Sequence, residues 1–252
     1  MALLEVSGLA KTFGGVTAVH DVTFALDAGE VLGLIGPNGA GKTTVVNLVT
    51  SYFPPSAGEV RFDGAPTAGR PHRLAARGLA RTFQNLRLFE GTSVVENVLI
   101  GRHLAYRDRR WQLWGRRRSE ERAQREAAME LLERVGLTAH ATDDVSGLPY
   151  GLRRRVEIAR ALAVEPRLLL LDEPTAGMTR KESDEIGALI VELNAGGLSV
   201  LLVDHNVRLV SDVCQRVAVM EWGTILMEGT PAEAWADPRV KEAYLGVRSE
   251  AS

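Results

Sequence analysis

The sequence lacks the features that mark secreted and membrane-spanning proteins. It contains one cysteine, Cys214, so no disulfide can form within the chain, and a reducing compartment is expected. No apolar run approaches the ~18 residues that a membrane span needs. The first residues, MALLEVSGLAKTF, show no basic segment followed by a long apolar run, so no signal peptide is expected. If the protein serves a membrane, we expect it to do so from outside the lipid.

An excess of one charge is missing as well. Lysine and arginine number 30 and aspartate and glutamate number 32, which gives a net charge of −2. The molecule as a whole therefore gives no reason to expect nucleic-acid binding. Its 252 residues, 45% of them hydrophobic, are enough for one large globular domain or two small ones.

Hydrophobic patterning predicts strands in several parts of the chain. Two segments alternate and contain β-branched residues, namely LLEVSGLAKTF and AVHDVTFALDAGE. Three continuous apolar runs are typical of buried parallel strands, namely EVLGLIG, RLLLLDEP and GLSVLLVDH. A short strand is expected in GEVRFDG, and RVAVMEWGTILMEG predicts a hairpin that turns near Trp222 and Gly223.

Helical patterns fill most of the remaining sequence. Residues 93–163 are mostly helical in pattern, and the clearest helix, SEERAQREAAMELLERVG, is expected to end at Gly136. Helices are also predicted in VVNLVTSYF and, broken at Pro238, in TPAEAWADPRVKEAYLG. This order predicts an α/β fold with a parallel-sheet core, an antiparallel β flank and a helical arm.

A glycine-rich segment, GPNGAGKT, predicts a phosphate-binding loop. It fits the pattern G-x-x-x-x-G-K-[ST], with a predicted buried strand before it and a helix after it. Backbone N–H groups in such a loop point at a polyphosphate, while Lys42 supplies a cation and Thr43 a hydroxyl for Mg²⁺. The residues predicted to contact the nucleotide are Gly36, Pro37, Asn38, Gly39, Ala40, Gly41, Lys42, Thr43 and Thr44. The chain has one such loop, so one nucleotide domain is expected.

Two acidic residues follow the apolar run LLLL. Asp172 and Glu173 would lie at the carboxyl end of a parallel strand, where ligands collect in open α/β sheets. We expect Asp172 to hold the hydration shell of Mg²⁺ and Glu173 to orient or deprotonate an attacking water.

These motifs together resemble the ATP-binding subunits of ABC transporters. The resemblance covers essentially the whole chain and rests on the phosphate loop (Walker A), the segment LPYGL, the acidic strand end (Walker B) with its Glu and Pro, and LLVDH. Within that family, FGG, ARTFQNLRLFEGTSVVENVLIG and DPRVKEAYLG are most similar to subunits that energise branched-chain amino acid uptake. The resemblance implies a P-loop NTPase fold, ATP and Mg²⁺ as ligands, and ATP hydrolysis coupled to transmembrane transport.

The resemblance assigns further roles to three residues. Gln84 occupies the Q-loop position, where its amide would contact Mg²⁺ or water and sense the helical arm. His205 occupies the switch position, next to the γ-phosphate. Phe13 occupies the position whose aromatic ring stacks on adenine.

The family's signature, Leu-Ser-Gly-Gly-Gln, is altered to LPYGL in this sequence. Of its polar and glycine residues only Gly151 remains, at the start of a predicted helix whose N–H groups and positive end can meet a γ-phosphate. We expect the arginines from Arg153 to Arg155 to add positive charge there. The segment is also a capped amphipathic helix whose core face would consist of Val156, Ala159, Leu162 and Ala163. Thr179 stands where the family has the aspartate of its D-loop.

The resemblance implies an assembly at the cytoplasmic face of the plasma (inner) membrane. Gly151 would act in trans, on the nucleotide of a second ATPase subunit in a homo- or heterodimer. The dimer would drive integral membrane permease subunits and, indirectly, serve a solute-binding protein. We expect residues 1–252 to be one ABC domain, with 1–85 and 161–252 as the core and β flank and 86–160 as the helical signature part.

Alternatives remain open at this stage. An ATPase of another ABC system, such as lipopolysaccharide export, shares much of the pattern, and a nucleotide-binding subunit with little turnover fits the altered signature. A nucleic-acid-associated ABC ATPase fits less well, because the chain has neither a second nucleotide domain nor a long coiled coil. An arginine-rich arm with Tyr106, Trp111 and Trp114 could touch lipid headgroups or a permease, or form a solvated surface.

Overall fold

The structure is a computed structural model that describes residues 2–67, 69, 71–102 and 117–245. Tyr106, Trp111 and Trp114 of the arginine-rich arm lie outside the described residues.

The described residues form ten strands and nine α-helices. The strands are β1 (Ala2–Phe13), β2 (Val16–Asp27), β3 (Val31–Ile35), β4 (Ala57–Phe62), β5 (Ala65–Pro66), β6 (Leu79–Arg81), β7 (Leu168–Asp172), β8 (Ser199–Val203), β9 (Arg216–Glu221) and β10 (Thr224–Gly229). The helices are α1 (Lys42–Val49), α2 (Pro71–Ala76), α3 (Val94–Arg102), α4 (Arg117–Arg134), α5 (Tyr150–Leu162), α6 (Arg180–Ala195), α7 (Val207–Val213), α8 (Pro231–Ala236) and α9 (Pro238–Leu245). Short 3₁₀ turns cover Thr138–His140 and Val145–Gly147.

The strands belong to two sheets. One is antiparallel and has the order β2-β1-β4-β5; the other has the order β10-β9-β3-β8-β7-β6. In the second sheet β9, β3, β8, β7 and β6 run parallel, and β10 closes the edge as an antiparallel hairpin partner of β9. The predicted α/β fold, with a parallel core, an antiparallel β flank and helices, is confirmed.

A hydrophobic core covers each face of the six-stranded sheet. Successive side chains of a strand point to opposite faces. On β3, Val31 and Ile35 therefore join the cluster formed with helices α3 to α6, whereas Leu32 and Leu34 join the cluster formed with the four-stranded sheet and α1. All residues of β3, β7 and β8 are buried, which explains their continuous apolar sequences.

Local signals mark the turns and helix ends correctly. Gly136, with φ of 71°, adopts the left-handed conformation just after α4. The β9–β10 hairpin turns at Trp222 and Gly223, whose φ values of 46° and 81° suit a tight turn of this kind. The pair α8 and α9 is interrupted at Asp237, directly before Pro238.

Some short elements have no clear pattern in the sequence. The strand β6 has three residues and α2 has six, too few for a hydrophobic period to show. Helix α1 begins at Lys42, earlier than its apolar run, and ends at Val49, because Ser51 has a left-handed φ of 53°. Within the described ranges, none of the helices has the length and apolarity to cross a bilayer.

Candidate active site

Four neighbouring strands deliver the predicted site residues to one edge of the sheet. The strands β3, β8, β7 and β6 lie side by side in this order and run parallel. The carboxyl ends of β3, β8 and β7 are level, since Leu34 pairs with Val203 and Asp172 also pairs with Val203, and β6 ends slightly earlier, where Arg81 pairs with Leu170. The residues that follow each strand therefore meet at the same edge, as expected for ligand sites in parallel sheets.

The phosphate loop needs glycine at two positions for steric reasons. Gly36, with φ of 148°, lies so close to the neighbouring hairpin that a Cβ atom would be 2.2 Å from Met220 O. Gly41 has φ of 98°, and a Cβ atom there would be 2.6 Å from Ala18 O. Gly41 caps α1 without a side-chain hydrogen bond. The N–H groups of the first helical turn can therefore receive an anion.

Lys42 is held inside the loop. Its Nζ donates to Gly36 O at 2.7 Å and to Pro37 O at 2.9 Å. Burial lowers the pKa of this ammonium, and the nearby carboxylates of Glu173, Asp172 and Asp204 act in the opposite direction. The lysine thus lies between the loop and the acidic residues at the ends of the neighbouring strands.

Asp172 ends β7 with one oxygen paired and one unpaired. The residue is 2% exposed, and its Oδ2 accepts from Arg81 Nη2 at 2.9 Å. Its Oδ1 is buried and has no hydrogen-bond partner among the described residues. Buried carboxylate oxygens without a hydrogen-bond partner are uncommon in proteins, and a cation or a water molecule bound to it could interact with this oxygen.

Glu173 and Gln84 are brought together from different strands. Gln84 Nε2 donates to Glu173 Oε2 at 2.9 Å. The Glu173 backbone is left-handed, with φ of 47°, and its N–H donates to Val203 O at 2.7 Å. Such a backbone is unfavourable for a residue with a side chain and occurs often at functional sites. The two predicted residues therefore form one polar unit beside Asp172.

His205 follows the neighbouring strand β8. Its side chain is 58% exposed, and its Nδ1 lies 3.9 Å from Asp204 Oδ1. Asp204 is buried and accepts from the Thr175 hydroxyl and the Asn206 N–H, both at 2.9 Å. Asp204 thus anchors the loop that carries the histidine.

Phe13 is the last residue of β1, which belongs to the four-stranded sheet, and its side chain is exposed. The residue is 45% exposed, and its ring packs edge-on against Phe53, with 5.2 Å between centroids. Lys11 Nζ lies 5.2 Å from the same centroid. The exposed ring leaves aromatic surface for stacking, and the adenine contact stays a prediction.

The N-terminal turn of α5 contains the altered signature. Pro149 is the N-cap in an extended conformation, and Gly151 is helical and buried. A Cβ atom on Gly151 would lie 2.5 Å from Glu182 Oε1, so this turn packs against the start of α6. The predicted core face is confirmed: Val156, Ala159, Leu162 and Ala163 are all buried.

Comparison with known proteins identifies the family. The ABC transporter family model matches residues 19–176, and a model for the C-terminal part of branched-chain amino acid ATP-binding cassette transporters matches residues 224–250. This chain belongs to the ABC transporter ATPases. It is an ATP-binding subunit of that family, and its chemistry is ATP hydrolysis.

Relatives match the chain along nearly its whole length. The high-affinity branched-chain amino acid transport ATP-binding proteins BraF of Pseudomonas aeruginosa and LivG of Escherichia coli K12 are each 42% identical, over 97% of this chain and 98% of theirs. The lipopolysaccharide export system ATP-binding protein LptB of Escherichia coli K12 is 39% identical over 98% of both chains.

Solved structures agree with the fold of this ABC ATPase. The ADP conformation of MJ1267, an ATP-binding cassette of an ABC transporter, has a TM-score of 0.85 and 30% identity, and the match covers 98% of this chain and 100% of that one. The dimeric structure of MJ0796, a bacterial ABC transporter cassette, has a TM-score of 0.77 and 26% identity over 90% and 98% of the two chains.

One of the arginines after Gly151 in this ABC ATPase differs from the sequence-based expectation. Arg154 is fully buried and cannot add charge at an exposed helix tip. It pairs with Glu157 Oε2 at 2.7 Å and donates to Phe83 O at 2.7 Å and Gln84 O at 2.9 Å. Burial raises the pKa of Glu157, against the effect of Arg154. Arg154 thus fastens α5 to the backbone that carries Gln84.

The D-loop departure has a structural explanation. Thr179 is the N-cap of α6, and with Glu182 it forms a reciprocal capping box. Aspartate and threonine are both favourable N-caps, so this helix start is kept when one replaces the other.

The sequence analysis missed Arg81 and Asp204 and gave Arg154 a different role. Each of these three residues holds a predicted site residue or its loop. For Asp204 a signal was present, because it directly follows a predicted buried parallel strand. Arg81 and Arg154 had none, since arginines on a short strand and in a basic helix are usually solvated.

Proposed function

We propose that this ABC ATPase hydrolyses ATP at a site completed by a second ATPase subunit, and thereby powers a permease that imports branched-chain or related amino acids. The proposal rests above all on the meeting of Lys42, Asp172 and the Gln84–Glu173 pair at the carboxyl ends of adjacent strands. We also propose the division into a core with β flank, residues 1–85 and 161–252, and a helical part, residues 86–160.

The phosphate loop would bind the triphosphate. The N–H groups from Asn38 to Thr44 would surround the β-phosphate, and the Lys42 ammonium would exchange its two carbonyl partners for phosphate oxygens. Phe13 would stack on adenine.

A Mg²⁺ ion bound with the nucleotide would neutralise charge that develops on the phosphates. Thr43, Asp172 and Gln84 are the residues that would hold it, directly or through water. The unpaired buried Oδ1 of Asp172 supports this assignment. Within the described ranges no group of three His, Cys, Asp or Glu side chains could hold a metal alone, and Mg²⁺ characteristically uses few carboxylates together with phosphate oxygens.

Glu173 is the residue we assign to the attacking water. Its carboxylate would orient the water and accept its proton, while the Gln84 amide holds that carboxylate at 2.9 Å. His205, exposed on the loop after β8, would contact the γ-phosphate when a partner closes over the site. Such closure excludes water and strengthens every charge interaction within the site.

The second subunit would supply Gly151. The tip of α5 lies far along the chain from the phosphate loop, and in a facing subunit it would cover the γ-phosphate. A relative of known structure forms a dimer of cassettes, which supports this arrangement. The partner is a second copy of this chain or a related subunit, and in either pairing two α5 tips and two phosphate loops meet.

A groove beside the site offers a place for the permease. It has a volume of about 430 Å³ and lies between α2, β6, α3 and α5. Exposed Phe89 and Ile100 line it together with Phe83, Arg87 and Arg160. An apolar floor with basic edges suits a short amphipathic helix of a membrane subunit. The chain would then lie at the cytoplasmic face of the plasma membrane, and a solute-binding protein would act through the permease.

The choice of amino acids as cargo rests on similarity. Relatives named for branched-chain amino acid transport are 42% identical and the lipopolysaccharide export relative is 39% identical, and residues 224–250 match a tail model of the branched-chain class. The described part of that tail forms β10, α8 and α9.

Replacing the proposed base tests the divided site. Glu173→Gln should bind ATP and Mg²⁺ without turnover and accumulate as a dimer, measured by sedimentation velocity of the chain alone and with its partner subunit. The double variant Glu173→Gln with Lys42→Ala should stay monomeric, because it cannot hold the triphosphate. A Glu173→Gln protein that stays monomeric with ATP under both conditions would rule out the sandwich.

Uptake measurements test the cargo. Deleting the gene in its own organism should abolish high-affinity uptake of labelled leucine, isoleucine and valine, with restoration by the wild-type chain and not by Glu173→Gln. Normal uptake combined with defective lipopolysaccharide export would favour the alternative.

A further inference from the structure

One buried side chain joins the two halves of the metal site proposed above. Arg81 ends β6 and its side chain is 9% exposed. Its Nη2 donates to Asp172 Oδ2 at 2.9 Å, and its Nη1 donates to Asn47 Oδ1 at 2.6 Å. Arg81 therefore spans from strand β7 to helix α1.

Both ends of this span are next to a proposed Mg²⁺ donor. Asp172 is itself one donor. Asn47 lies one helical turn after Thr43, which is another proposed donor, and residues four apart share a helix face. Arg81 Nη1 also donates to Thr50 Oγ1 at 3.2 Å, farther along the same helix. Because a guanidinium is planar and rigid, these contacts set the spacing between α1 and β7.

The same contacts determine which oxygen of Asp172 remains available. Oδ2 is occupied by Arg81, and buried Oδ1 has no partner among the described residues. The carboxylate cannot rotate without breaking its ion pair. Groups in the metal site of a protein are commonly held by such outer partners, which orient the ligand toward the ion.

We propose that Arg81 is a positioning residue for the metal site: it holds Asp172 and α1 at the separation that nucleotide-bound Mg²⁺ requires. This inference rests on the proposed Mg²⁺ site at Thr43 and Asp172. A purely electrostatic role predicts the opposite result, because a cation beside Asp172 repels Mg²⁺. If charge alone mattered, removing Arg81 would tighten metal binding. The sign of the change therefore separates positioning from charge.

The experiment measures binding of a fluorescent ADP analogue to the full chain, in EDTA and over a series of Mg²⁺ concentrations. For Arg81→Met we expect affinity in EDTA within about twofold of wild type, and a loss of about tenfold or more in the gain that Mg²⁺ confers. Binding in EDTA reports that the phosphate loop and the fold are intact, so a merely structural role would not give this pattern.

Two further variants keep the test informative if Arg81→Met folds poorly. Asn47→Leu removes one end of the span and leaves the Arg81–Asp172 pair, so a smaller loss in the same direction is expected. Arg81→Lys keeps the charge, but one ammonium cannot span both partners, so its loss should also be intermediate. The matched control is Arg102→Met, whose side chain is 11% exposed and, like that of Arg81, joins two segments, through Gln124 and Glu165. It should leave the Mg²⁺ dependence unchanged.

The proposal is overturned if Arg81→Met binds Mg²⁺ more tightly or shows wild-type Mg²⁺ dependence. It is also overturned if the Arg81 and Asn47 variants lose binding equally in EDTA and in Mg²⁺. Asp172→Asn tests the site itself: if that variant keeps wild-type Mg²⁺ dependence, the metal assignment fails, whatever Arg81 does.

Discussion

The phosphate loop and the first turn of α5 are both proposed to meet phosphate, yet they are built in different ways. In the loop, Gly36 and Gly41 have positive φ values, and a Cβ atom at either would collide with a backbone oxygen. At α5, Gly151 has an ordinary helical backbone, and a Cβ atom would meet only the Glu182 side chain and no backbone atom.

The difference explains why one motif is intact in this sequence and the other is altered. The loop's shape depends on backbone conformations that only glycine adopts easily. The first turn of α5 is instead held by two sets of contacts. Arg154 donates to the backbone of Gln84, and Gly151 packs against α6. Side chains at its start can therefore change, as Pro149 and Tyr150 show, while the helix keeps its place.

The largest effect on stability should come from removing the Arg154 side chain, which binds α5 to the backbone of Gln84. Arg154→Met leaves Glu157 as a buried, unpaired charge, so the free energy of unfolding should fall by about 3–5 kcal/mol in urea denaturation. Because burial raises the pKa of Glu157, acid protonates this carboxyl in the folded protein before the unfolded one. The loss of unfolding free energy in Arg154→Met should therefore become smaller as the pH falls through the pKa of Glu157 in the folded protein toward its pKa in the unfolded chain.

A neighbouring arginine provides the control for that variant. Arg155 pairs with Glu185 at a partly exposed position, so Arg155→Met should cost no more than about 1 kcal/mol. Equal losses for the two variants would contradict the role given to Arg154.

A somewhat smaller loss is expected within the loop. Gly36→Ala combines a close contact with an unfavourable φ, and should cost about 3 kcal/mol of unfolding free energy. Nucleotide binding, measured by fluorescence, should be lost as well. Gly147→Ala is matched to it, since a Cβ atom there meets nothing within 4 Å and its φ is ordinary. The stability of Gly147→Ala should stay within about 0.5 kcal/mol of wild type. A loss as large as that of Gly36→Ala would contradict the steric explanation for Gly36.

The smallest change in stability is expected at the α5 tip. Gly151→Ala should cost no more than about 1 kcal/mol, because a shift of Glu182 weakens its capping box with Thr179 while alanine favours the helix more than glycine does. Nucleotide binding by the single chain should be unchanged. In the Glu173→Gln background, however, ATP-driven dimerisation should weaken by about tenfold or more, measured by sedimentation. Unaltered dimerisation would show that Gly151 does not face the partner's nucleotide.

Much of the fold could be predicted from the sequence, because its signals are local. The buried runs of β3, β7 and β8 and the hairpin at Trp222 and Gly223 follow from patterns a few residues long. The short strand β6 could not be predicted, because three residues carry no period and its pairing with β7 is made far along the chain. The prediction that Arg154 adds positive charge at the start of α5 was wrong for a similar reason, since its partners Phe83 and Gln84 belong to another segment.

The sequence by itself determined the nucleotide loop, the acidic strand end and the family, because each is a short pattern whose chemistry depends on its own residue types and spacing. Only the tertiary structure decided how these parts are held. The Arg81–Asp172 pair joins residues 91 positions apart, and the bond from Arg154 to Phe83 O joins residues 71 apart. The reason is physical: a buried charge needs a partner at hydrogen-bond distance, and folding alone determines which distant residue provides it.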